Sequence, residues 1–348
     1  MKAGPVVDAK EPSEGPHRGQ ARTLLAGLLV ILLVLGLIVL VERAAGYQGV
    51  VNRLRDAKPE WLALAIAGEA VSFAGFAAAL RGVFARRGGP AIRFPTAVRL
   101  VFTSLGASRA VLAGAPAGIA VFVWAARKTG LTRSQAASRV LALYALLFGM
   151  FAVGTWLCAL TVLAAAGGSL GLTLPWLLAV PLVVASAAGF RAPKRRGWIP
   201  GQIGRWLQTR LAEIEDGFAT VREIALHPRR EAGLIAAAAL NWLGDALCLW
   251  ASLRAFGVAV QPDRLLLAYS TAYLATLLPL PFGGIGAVEA TTVLTLRSVG
   301  VPVSAGLLGV LGYRAINFWL PTLPALTLFA TLGRLGRRLA QTRSHTRT

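Results

Sequence analysis

Apolar residues in this chain come in stretches of membrane-spanning length, separated by short segments rich in Arg, Gly and Pro. The stretches at residues 24–41, 61–80, 139–166, 174–190, 232–253 and 303–332 are long and apolar enough to cross a hydrocarbon core of about 30 Å as α-helices. Two further apolar regions, residues 97–126 and 265–299, are broken inside, at Gly114-Ala115-Pro116-Ala117-Gly118 and at Leu278-Pro279-Leu280-Pro281-Phe282-Gly283-Gly284-Ile285-Gly286. The pattern predicts an all-α integral membrane protein of about six spanning helices plus two Pro/Gly-broken hairpins. Each hairpin arm has roughly 15–17 residues, about 23–26 Å of helix, so the hairpins are either re-entrant or pairs of short full spans. One polar stretch has a different period. Within residues 191–231, Ile203, Leu207, Leu211, Ile214, Phe218, Val221 and Ile224 recur at spacings of three and four, which predicts an amphipathic helix at the membrane interface or against the ends of the spans.

Composition agrees with a membrane domain over residues 23–332, flanked by polar tails at 1–22 and 333–348: 56% of residues are hydrophobic, 15% are charged and the mean hydropathy is +0.63. The net charge of +21 raises nucleic acid as a partner. The positions of the charges argue against it. Lys and Arg sit between the apolar runs, no basic-aromatic motif is present, and no nucleic-acid partner is expected. Read by the positive-inside rule, both tails and residues 191–231 are cytoplasmic, the run at 24–41 is a retained signal anchor, and residues 167–172 are outside. Arg43, Arg53, Arg55 and Lys58 run against this assignment, in a loop expected outside, and the later loops outweigh them. Cys158 and Cys248 lie in apolar runs without metal-ligand spacing, and His17, His227 and His345 fall in polar segments, so neither a metal nor a cofactor is expected.

With these loops, each half of the chain reads as span, broken hairpin, span, and the two halves point in opposite directions across the bilayer. Paired interrupted segments of that kind are the sequence sign of an inverted-repeat transporter with a site at mid-depth. Two prolines and three glycines within Pro279, Pro281, Gly283, Gly284 and Gly286 free backbone groups that hydrocarbon cannot satisfy, so this break belongs inside protein or beside a wet cavity. Counted from the expected interfaces, Arg109, Asp245, Glu289 and Arg314 come near the bilayer centre, two basic and two acidic. Asn241 precedes Asp245 by four residues and Asn317 follows Arg314 by three, placing each amide on the face of its charge. The helix start after Gly283–Gly286 and Arg314 suit an anionic headgroup, while Glu289 and Asp245 suit a cationic group or a proton relay. The alternative is that the same residues only join helices, with glycines permitting close packing.

The runs Leu277-Leu278-Pro279-Leu280-Pro281-Phe282-Gly283-Gly284-Ile285-Gly286-Ala287-Val288-Glu289-Ala290 and Leu311-Gly312-Tyr313-Arg314-Ala315-Ile316-Asn317-Phe318-Trp319-Leu320-Pro321 resemble the signature of the lysylphosphatidylglycerol synthase transmembrane, flippase-like family. The resemblance implies a bacterial plasma-membrane protein and a lipid-handling role for Gly283, Gly284, Gly286, Glu289 and Arg314. The first hairpin departs from it: Pro116-Ala117-Gly118-Ile119-Ala120-Val121-Phe122 carries no charge, so that break is expected to be structural. With the chain ending at Thr348, no cytosolic aminoacyl-transfer domain is expected, and the protein is not expected to be the synthase itself. The leading expectation is a carrier that moves a phospholipid or polyprenyl-linked lipid between leaflets. A membrane-embedded lipid-modifying enzyme and a non-transporting partner of such an enzyme stay open, as does a homo-oligomer.

Overall fold

The computed structural model describes residues 55–110, 114–165, 170–190, 201–277 and 286–336, and every regular element among them is helical. The expected span at 24–41 and the Pro279–Ile285 part of the second break lie outside the described residues. In chain order the elements are α1 (Pro59–Ala85), α2 (Phe94–Ala110), α3 (Ala115–Lys128), α4 (Arg133–Ala164), α5 (Leu170–Gly189), α6 (Gly201–Leu226), α7 (Ala232–Ala255), α8 (Pro262–Tyr273), α9 (Ala287–Ser298), α10 (Val303–Arg314) and α11 (Leu320–Ala330). A π-helical turn, Ala315–Trp319, joins α10 to α11, so that Val303–Ala330 is one long rod.

Five of these rods are long and apolar enough to cross a membrane: α1, α4, α5, α7 and the α10–α11 rod. The protein is therefore a multi-pass membrane protein. Local chemistry sets where they start. Pro59 occupies the first turn of α1, where its missing N–H costs nothing, and Glu60 faces the positive end of the helix dipole. At α4, Thr132 Oγ1 accepts from the Gln135 amide at 3.2 Å while Gln135 Oε1 accepts from the Thr132 amide at 3.0 Å, a reciprocal cap. The hairpin arms are shorter. α2 has 17 residues, α3 has 14, and α8 and α9 have 12 each. At 1.5 Å per residue, the last two reach only about 18 Å, well short of a hydrocarbon core.

The six described glycines with left-handed backbone conformation fall in three pairs at matching places. Gly88 and Gly257 follow the first span of each half, Gly114 and Gly286 open the second hairpin arm, and Gly130 and Gly300 close it. The closing turns match bond for bond: Gly130 N donates to Arg127 O and Leu131 N to Ala126 O, as Gly300 N donates to Arg297 O and Val301 N to Leu296 O. Packing follows the same scheme, because α11 lies against α2 and α4 against α8. Each half therefore closes over the hairpin of the other.

The centre of the molecule is the crossing of α1 and α7, which pack together more extensively than any other pair of helices. Lipid is as apolar as leucine, so close backbone approach rather than water exclusion has to hold such a pair. A Cβ added to Gly244 would sit 2.5 Å from Gly68 O, and one on Gly75 would sit 2.6 Å from Asn241 N. No side chain fits there. Two apolar clusters flank the crossing. One gathers Leu80 and Phe84 with α2, α3, the start of α4 and the start of α7; the other gathers the end of α7 with α8, α9 and α10. Between them, residues 66–76 of α1 and 239–245 of α7 contribute the buried polar side chains Glu69, Ser72, Asn241 and Asp245. The outside is apolar: Leu178, Leu182 and Val183 of α5 and Leu157 and Leu163 of α4 are exposed, as a surface against acyl chains requires.

The amphipathic segment forms α6, which packs against α4, with Gly217 beside Leu141 and Ile224 buried in the first cluster. Arg86, at the end of α1, clamps that end of the bundle by pairing with Glu223 of α6 at 3.0 Å and Glu231, the cap of α7, at 2.7 Å. The crossing supplies the first prediction. Gly68→Ala and Gly244→Ala each force a methyl into backbone, at a cost of about 1–3 kcal/mol. Both lower the thermal midpoint of the detergent-solubilised protein, whereas Gly233→Ala on α7, where a Cβ would meet nothing within 4 Å, leaves it unchanged.

Candidate functional site

The polar layer is assembled by helical spacing. On α10 and the π turn, Tyr313 and Asn317 are four residues apart and share one face; Arg314 and Phe318 repeat that spacing on the next face. The first face meets Asp245. Tyr313 OH donates to Asp245 Oδ1 at 3.0 Å and Oδ2 at 3.2 Å, Asn317 Nδ2 donates to Oδ1 at 2.8 Å, and Tyr269 OH of α8 donates to Oδ2. Asp245 thus collects three neutral donors from three elements. The same Asn317 amide also donates to Glu69 Oε1 at 3.1 Å, so one amide bridges carboxyls on α1 and α7.

The second face meets Glu289. Arg314 Nε donates to Glu289 Oε1 at 2.6 Å, with both side chains buried, while Glu289 Oε2 accepts from the Gly286 amide at 2.6 Å. One carboxylate therefore closes the first turn of α9 and anchors the arginine of α10. Phe318 lies against two guanidinium groups, Arg314 at 4.3 Å and Arg109 at 4.2 Å from its ring centroid. Arg109 also donates to Phe318 O at 2.6 Å and to Thr322 Oγ1, tying the end of α2 to α11.

The π turn stands immediately ahead of Pro321. Proline has no N–H to return to the Asn317 carbonyl, so the regular ladder has to change there, and single π turns of this kind concentrate at functional sites. Two buried polar atoms in the layer have no partner among the described residues: Glu69 Oε2 and Arg314 Nη2. Glu69 is 5% exposed and Arg314 6%. Buried polar groups are nearly always satisfied, so an acid and a base left open in one layer mark a place for something else to bind.

Of the residues singled out in the sequence, the structure brings Asp245, Glu289, Arg314, Asn317 and Arg109 into this layer, and Gly286 starts α9 beside it. Asn241 is buried at the α1–α7 crossing, with its backbone against Gly75. Pro279, Pro281, Gly283 and Gly284 lie outside the described residues. The expected balance of two acids and two bases is incomplete, because Glu69 adds a third acid. It was legible: a lone carboxylate in the otherwise uncharged run 61–80, between Gly68 and Ser72, falls under the rule that singles out Asp245. Tyr269, Tyr313 and Phe318 carry no such signal, since aromatic residues in apolar helices are ordinary packing.

The family model for the lysylphosphatidylglycerol synthase TM region matches residues 24–325, which takes in every helix that contributes to the layer. No curated protein matches the chain by sequence. The match, the five apolar spans and the buried charges between them describe an integral membrane protein linked to lipid metabolism. The chain belongs to the lysylphosphatidylglycerol synthase transmembrane-region family.

Proposed function

We propose that this protein moves an amphiphile, a phospholipid or polyprenyl-linked lipid, between the leaflets of a bacterial plasma membrane. The observation that carries the reading is the buried polar layer between two apolar clusters, with Arg314 Nη2 and Glu69 Oε2 left open in it. Charges at such a depth are expensive and are kept where a polar cargo passes. The paired left-handed glycines and the mutual packing of each half on the other's hairpin support an inverted repeat, with the short arms re-entrant and the layer at its centre.

In this reading the headgroup enters between the hairpins while the acyl chains stay in the bilayer against the apolar outer faces. Arg314 offers its free nitrogen to a phosphate. The start of α9 is taken by Glu289 in this state, so a phosphate reaching the Gly286 amide has to displace that carboxylate, which would also release Arg314. Exchange of Glu289 for a headgroup phosphate is the step that makes binding and helix movement one event. The reading is of a carrier: the hydroxyls of Tyr269 and Tyr313 and the Asn317 amide serve to hold Asp245 in place.

Reconstituted liposomes with labelled phospholipids test the function directly; accelerated leaflet exchange is expected, and no exchange with any bacterial lipid class would sink it. The Glu289–Arg314 pair separates transport from folding. Glu289→Gln or Arg314→Ala alone leaves a buried charge unmatched, at a cost of about 3–5 kcal/mol, and lowers the yield of folded protein. The double change Glu289→Gln with Arg314→Gln recovers the yield and stays inactive; recovered activity would make the pair purely structural. For topology, a cysteine replacing Pro200 in a background without Cys158 and Cys248 resists impermeant thiol reagents in intact cells, and its labelling would reverse the orientation.

A further inference from the structure

We propose that Glu69 and Asp245 form a proton-binding pair, bridged by Asn317, that couples lipid movement to proton movement; the inference deepens the transport reading and rests on it. The two carboxyls come from the two helices whose backbones touch, one residue along from Gly68 and from Gly244, and a single side-chain amide reaches both. Both are more than nine-tenths buried. Asn317 Nδ2 spans them, at 2.8 Å from Asp245 Oδ1 and 3.1 Å from Glu69 Oε1, and Glu69 Oε2 is buried with no hydrogen-bond partner among the described residues.

The surrounding charges offset the pair only in part. From α10, Arg314 is held by Glu289 of α9; from α2, Arg109 donates to Phe318 O and Thr322 of the rod that carries Asn317 and has Glu69 within reach of its charge. From α8 and α10, Tyr269 and Tyr313 are neutral donors to Asp245, and Cys248 of α7 is a buried thiol. Two adjacent buried carboxylates that share a single offsetting cation, Arg109, carry one negative charge too many away from water. A proton is the smallest ligand that resolves this. The two members divide the work. Asp245, with three donors, is built to carry the charge, and Glu69, with one donor and one bare oxygen, is built to gain and lose the proton.

The bridge is what ties proton occupancy to shape. Asn317 sits in the π turn ahead of Pro321, where the helix has lost its regular ladder, so a one-residue change of register takes the amide away from both acids. Loss of the proton from Glu69 leaves a second negative charge on the buried pair, which opening of the α1–α7 crossing to water relieves. Loading and opening then alternate with protonation.

The test uses the full-length protein in liposomes with a fluorescent phosphatidylglycerol and an imposed pH difference, the membrane potential being clamped. For one proton per lipid, a two-unit difference shifts the steady-state leaflet ratio by up to about a hundredfold, equivalent to about 2.7 kcal/mol. In Glu69→Gln the ratio with and without the gradient is expected to become the same. In parallel, infrared difference spectra across a pH titration should show a protonated-carboxyl C=O band that is lost in Glu69→Gln; if that variant does not fold, Glu69→Asp should keep the band with a displaced midpoint. Exchange that ignores the gradient, or follows Na⁺ instead, overturns the coupling and leaves the transport reading standing. Absence of exchange under every condition removes the transport reading and the coupling with it. The infrared band then decides the proton site alone: present and lost with Glu69, the site stands; absent in the unmodified protein, it falls.

Discussion

The contact between the backbones of α1 and α7 governs the rest of the molecule. Glycine at 68, 75 and 244 lets the helices approach until peptide groups touch, and that approach brings Glu69 and Asp245 within reach of one Asn317 amide. In a bilayer, helices gain little from excluding each other's apolar surface, so the attraction has to come from packing and from polar groups that find partners. Small residues and buried acids at one crossing are therefore two parts of one solution. The glycines remove bulk, and the acids supply bonds worth more where water is scarce.

The layer shows how buried charge is tolerated. Glu289 and Arg314 pair with each other, with the spare carboxylate oxygen on the Gly286 amide and one guanidinium nitrogen left open. Asp245 is held by neutral donors, and Arg109 by a carbonyl, a hydroxyl and an aromatic ring. Three different answers to the same desolvation penalty meet on one span, the α10–α11 rod, which contributes Tyr313, Arg314, Asn317 and Phe318 as partners. That rod is also the one interrupted by a π turn. A rod that carries most of the polar contacts and has an irregular ladder in its middle is the element whose small displacements change the whole layer.

The two halves divide their roles unevenly. Both hairpins share the same left-handed turns, yet the first supplies Arg109 alone among charged groups and otherwise packs Gly118 against Ser104 and Ser108. The second supplies Glu289 and Tyr269. A common backbone scheme thus carries a packed hairpin in one half and a polar one in the other.

The all-helical membrane character, the helix limits near Pro59, Thr132 and Gly130, the amphipathic α6 and the inward facing of Asp245, Glu289 and Arg314 were written in local sequence, because span length, capping and desolvation act within a few turns. Tertiary structure alone decided which partner each buried group takes. Spacing placed Asn317 on a face with Arg314, but the π turn and the α1–α7 crossing gave its amide to two carboxyls instead; nothing near Tyr269 or Tyr313 in the chain announces that both hydroxyls end on Asp245. The reason is physical. A helix fixes the direction of a side chain from its neighbours three and four residues away, whereas the group it meets is set by how close two backbones can come, and that depends on residues some 180 positions apart, Gly68 and Gly244.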